Sequence, residues 1–87
     1  GNCGAGAAGQ VMGEIAAELY VESLDSRNLA LTQDKRNTAL GIAEISGAIA
    51  AAAAGGKPED IHFAAQQAKT TAGNNAIPAA IPLGIQA

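Results

Sequence analysis

The chain has 87 residues and a formal charge of -3; 48% of it is apolar, 2% is aromatic, and alanine makes up about a quarter. One small domain is all that this length admits, and five Lys/Arg cannot form the dominant basic surface of a nucleic-acid binder. Trp is absent and Phe63 and Tyr20 stand alone, so the core is expected from Ile, Leu, Val, Met and Ala, thin at ~25 cal/mol per Å2 unless backbones approach closely.

Gly1 stands where a Met would open a chain, as expected of a fragment or a processed product. Cys3 is the only cysteine, so no intrachain disulfide forms. No basic segment followed by an apolar one marks a signal peptide. The first helix is predicted from the glycine-rich start to about Ser23. Met12, Ile15 and Leu19 recur at helical spacing, with Val11, Ile15 and Leu19 as an adjacent ridge. Glu14, Glu18 and Glu22 line another face, and the break falls between Leu24 and Asn28.

The second helix is predicted from Gln33 to Ala54. Thr32 is its N-cap, because its hydroxyl accepts from free amides of the first turn, and Asp34 suits the positive end of the dipole. Ile42, Ile45 and Ile49 continue the apolar spacing, and Gly55-Gly56 ends the helix. The weakly polar stretch Ala39–Gly56 reaches the ~18 residues of a membrane span only with Glu44 included, so a buried helix is the better reading. The third helix opens on Lys57-Pro58-Glu59-Asp60, with Pro58 at its first position. Ile61, Ala64, Ala65 and Ala68 form its apolar face. Gly73-Asn74-Asn75 reads as a terminator, and Pro78 forbids simple continuation. The tail from Ile77 to Ile85 is apolar and irregular.

Small residues are themselves spaced. Gly9, Gly13 and Ala17 lie four apart on the first helix; Ala43, Gly47, Ala51 and Gly55 do so on the second. Such stripes let helix backbones approach closely. The expected fold is all-α, a small bundle of about three Gly/Ala-rich helices over residues 1–76, with a separate tail over 77–87.

Little of the sequence reads as catalysis. Gly4, Gly6 and Gly9 match G-x-G-x-x-G, but no strand precedes them and the following elements are helical, so the dinucleotide fold that uses this motif is not expected. Glu59 and His62 make one Glu-x-x-His pair where a bundle metal site needs two, and no second histidine exists. Ser23, Ser26, Ser46 and Cys3 lack a histidine and carboxylate arranged as a triad. No cofactor and no metal are expected, and the chain is not expected to be an enzyme.

The order of features resembles a known family. Asn2-Cys3-Gly4-Ala5-Gly6-Ala7-Ala8-Gly9 leads into Met12-Gly13-Glu14; then come Thr32 to Ala43, an Ala/Gly run to Gly55-Gly56, and a last helix closing on Asn74-Asn75. This resembles the pre-toxin module of contact-dependent growth inhibition exoproteins, filamentous-hemagglutinin-like proteins exported by two-partner secretion. In that family a Val-Glu-Asn-Asn motif ends the module and a variable toxin domain follows. Here Ala72-Gly73 stand for Val-Glu, and Asn74 and Asn75 match. The resemblance, over residues 2 to 76, implies a secreted or cell-surface protein of a Gram-negative bacterium. It implies a boundary at Asn74-Asn75, a toxin beyond the eleven residues after Ala76, and a disulfide from Cys3 to a cysteine outside the chain, which an oxidising periplasm permits.

The expected role is thus a non-catalytic link between exoprotein filament and toxin, with the remainder of that protein as partner. Asparagine side chains can attack their own backbone carbonyl, so chain cleavage at Asn74-Asn75 is chemically open. A second reading is a membrane-active translocation segment, carried by Ala39–Gly56 and the tail. A third is a generic helical interaction module, with self-association as its partner relation.

Overall fold

The computed structural model describes residues 3–76, with only the backbone of Cys3, Asn75 and Ala76. The chain forms three helices: α1 Cys3–Ser26, α2 Gln33–Ala53 and α3 Pro58–Thr71, then a π-helical turn, Ala72–Ala76. Each helix packs on both others, and the terminal turn touches all three. No strand occurs among the described residues. The tail over 77–87 lies outside the described residues.

Local chemistry sets the helix ends. α1 runs three residues beyond the expected Ser23. It closes with Asn28 in the left-handed region at φ 56°, while the Leu29 amide donates to the Leu24 carbonyl at 2.9 Å. Asn tolerates that conformation better than other side-chain-bearing residues. α2 starts at Thr32, whose hydroxyl accepts from the Lys35 amide at 3.3 Å. It closes on Gly55 at φ 87°, with the Gly56 amide donating to the Ala51 carbonyl at 2.9 Å. In α3, Pro58 takes the first position, and the Asp60 carboxylate accepts from the Lys57 amide at 2.9 Å. That bond satisfies a donor the helix itself leaves orphaned.

The core is narrower than the mixed set of Ile, Leu, Val, Met and Ala expected from composition. The buried apolar residues are nine alanines with Leu24 and Leu31; no large side chain is fully buried. The ridge expected inside α1 faces out: Val11, Met12, Ile15 and Leu19 are 43–60% exposed. Ile45 and Ile49 are exposed as well, and Ile42 is half-buried. Inside instead are rows of small residues at i+4 spacing. α1 contributes Ala5, Gly9, Gly13 and Ala17; α2 contributes Ala39, Ala43, Gly47 and Ala51; α3 contributes Ala64, Ala68 and, continuing the row, Ala72 of the terminal turn. Two helices held this close leave no volume for a branched side chain between them, so the larger residues are turned outward. Two further expectations are corrected. Gly55 belongs to the turn and meets nothing within 4 Å of an added Cβ. Gly73-Asn74-Asn75 does not end the helical path but continues it as the π-turn.

Candidate functional site: the glycine seam and the terminal turn

The seam is built from backbone rather than side chains. A Cβ placed on Gly9 would lie 2.5 Å from the Gly47 carbonyl oxygen of α2, 2.5 Å from the Ala64 Cβ of α3 and 3.2 Å from the Ala51 Cβ. On Gly13 it would meet the Ala43 carbonyl oxygen and the Ala68 Cβ, both at 2.5 Å. On Gly47 it would meet the Ala68 Cβ at 2.9 Å and the Ala64 and Gly9 carbonyl oxygens at 3.1 Å. Gly9, Gly13, Ala43, Gly47 and Ala51 thus come together where three backbones converge, and all three glycines face backbone carbonyl groups, Gly9 and Gly13 most closely. Gly56 plays a related part at the α2–α3 turn, where a Cβ would meet the Ala51 carbonyl oxygen at 2.8 Å and the Ala5 Cβ at 3.0 Å. The sequence reading missed this role, although its signal was present: a second glycine following the helix-closing one.

The seam leads directly to Asn74-Asn75. Ala72 is fully buried and anchors the terminal turn in the same cluster as Ala17, Ala39, Ala43 and Ala68. Arg36, near the start of α2, donates from Nη2 to the Gly73 carbonyl at 2.9 Å. A guanidinium bonding a main-chain carbonyl is a stronger tie than a neutral pair. The Leu40 side chain lies beside Gly73, 3.2 Å from an added Cβ. Two residues earlier the Gln10 side-chain amide donates to the Thr71 hydroxyl at 3.0 Å, tying α1 to the end of α3. The Asn74 side chain is exposed; that of Asn75 lies outside the described residues. Sequence reasoning singled out Asn74 and Asn75 and passed over Arg36 and Gln10, because partners 37 and 61 positions apart leave no local pattern.

The remaining candidates are dispersed. Cys3 opens α1, with its side chain outside the described residues. Glu44 accepts from the Gln66 amide at 3.0 Å across α2 and α3. It borders a shallow groove with Ile45, Ile61, His62 and Ala65. Among the described residues no group of three His, Cys, Asp or Glu side chains is placed to hold a metal ion. No helix of the described residues is long and apolar enough to cross a membrane.

Fold and site together define a small all-helical module whose seam of glycine and alanine carries a docked C-terminal turn. Residues 29–78 match the family model described as the pre-toxin domain with VENN motif. The match spans more than half of the chain, and the chain belongs to that family, the pre-toxin domains of secreted bacterial toxin proteins. It takes in α2, α3 and the terminal turn; α1 lies outside it. Neither the curated proteins nor the solved structures yield a match.

Proposed function

We propose that this chain is the non-catalytic link between the filament of a contact-dependent growth inhibition exoprotein and its C-terminal toxin. That exoprotein reaches the surface of a Gram-negative bacterium by two-partner secretion. The module's part is to present the toxin at a fixed exit, with Asn74-Asn75 as the boundary. The observation that carries this reading is the docked terminal turn. Ala72 is buried and the Gly73 carbonyl is held by Arg36, so the chain leaves the bundle from a defined place, as a presenting module requires. Family membership supplies the toxin context.

The test uses the complete exoprotein in co-culture with target cells. Gly9→Leu/Gly13→Leu is expected to dismantle the seam and abolish target inhibition. The same toxin made inside the target should still kill. Undiminished inhibition by the seam variant, with its bundle melted, removes the proposed role. Cleavage at the boundary has its own readout. An asparagine amide nitrogen attacking its own carbonyl carbon closes a succinimide, and the peptide bond to the next residue breaks with release of that residue's amine. Intact-mass measurement of the exoprotein after target contact detects that ring, and a chain uncut across Asn75 leaves presentation without cleavage.

A further inference from the structure

We propose that the outer face of α1 is a docking surface for a basic amphipathic helix of another polypeptide. Val11, Ile15 and Leu19 form an unbroken i+4 row, and all three are exposed, as is Met12 beside them. The seam residues Gly9, Gly13 and Ala17 occupy the opposite side of α1, so this row faces away from the buried core of the described residues. A helix lays its apolar face along such a ridge through anchors at i, i+4 and i+7. Contiguous exposed aliphatic surface on a small protein marks an interaction site more often than scattered residues do.

Charge identifies the occupant. Glu14, Glu18 and Glu22 run beside the apolar row at the same i+4 spacing. Among the described residues none of the three is in an ion pair. α1 contains four acidic residues and no basic one. A second copy presenting its own α1 therefore brings glutamates to glutamates, which opposes pairing. An anionic lipid surface is repelled by the same row. A helix with aliphatic anchors edged by Lys or Arg satisfies both rows at once. This inference does not depend on the proposed toxin-presenting role, since it rests on α1 alone.

The experiment titrates the full chain into a labelled helical peptide of about 18 residues, five turns, with Leu at i, i+4 and i+7 and Lys along one flank. A peptide of the same length and anchors carrying Glu in place of Lys is the comparison. The Lys peptide is expected to bind at least about tenfold tighter, and its binding to weaken as salt screens the flank. Ile15→Gln/Leu19→Gln is expected to weaken binding by about tenfold or more through lost apolar burial. Its helical circular dichroism and melting should be preserved, since both side chains are exposed. Ile45→Gln, in the groove between α2 and α3, should leave binding unchanged. Equal binding by the Ile15→Gln/Leu19→Gln variant overturns the proposal, and so does equal binding of the two peptides. Each other occupant has its own contrary result. Dimerisation abolished by Ile15→Gln/Leu19→Gln assigns the face to a second copy. Phosphatidylcholine vesicle binding lost in that variant assigns it to lipid. Tighter peptide binding by Ile81→Gln/Leu83→Gln assigns it to the chain's own tail.

Discussion

At the scale of single residues, the helical glycines divide by what faces them. Glycine in a helix interior costs about 1 kcal/mol relative to alanine, because its backbone has more freedom to lose. Gly41 meets nothing within 4 Å, so Gly41→Ala is expected to raise stability by about 0.5–1 kcal/mol. Gly9 and Gly13 face carbonyl oxygens at 2.5 Å from an added Cβ. Alanine there forces helices apart, and a loss of about 1–3 kcal/mol is expected from overpacking. Gly47→Leu belongs with them. Melting temperatures of the three alanine variants check the division: one rise and two falls are expected, and three rises would show that the seam yields. Spacing alone made the stripe legible, since residues four apart share a helix face. The special standing of Gly41 was not legible, because one glycine in an alanine-rich helix reads like the next.

At the scale of elements, the terminal turn depends on α2. Arg36 and Gly73 are joined through a part-buried hydrogen bond, and bonds of this charged kind contribute about 1.5–3 kcal/mol. Arg36→Met keeps the aliphatic stem and removes the donors. Its expected effect is local: faster amide hydrogen exchange over Ala72–Ala76, with protection in the middle of α2 retained. Exchange unchanged in the turn would assign its anchorage to Ala72 alone. The helix limits were largely readable, because caps are local chemistry: Thr32, Gly55 and Pro58 each act within one turn of themselves. The π-turn was not, because Gly and Asn signal a helix end in sequence, whereas Ala72 and Arg36 hold the segment against the bundle.

At the scale of the whole molecule, stability rests on many small contacts. Nine of the buried apolar residues are alanines, each contributing little transfer energy, so three backbones must converge before a core exists. The family match leaves out α1, yet Gly9 and Gly13 lie against Ala64, Ala68 and the backbone of Ala43 and Gly47. Residues 27–87 without α1 are therefore expected to lose cooperative melting, because Ala43, Ala51, Ala64 and Ala68 would face water. A sigmoidal thermal transition in that truncated chain, near the temperature of the complete one, would show that α2 and α3 suffice.

The all-α class, the three helices, their caps and the small-residue stripes followed from the sequence, because each depends on neighbours within a turn or two. The sequence offered both an aliphatic row and a small-residue stripe for helix packing, and the tertiary structure decided between them. Val11-Ile15-Leu19 and Gly9-Gly13-Ala17 have the same helical period, and the ordinary preference for burying bulk favours the first. The distance between backbones selects the second: where three helices meet with carbonyl oxygens 2.5 Å from a glycine's missing Cβ, only glycine and alanine fit. The aliphatic row is left on the surface, and the terminal turn is held by residues far from it in sequence.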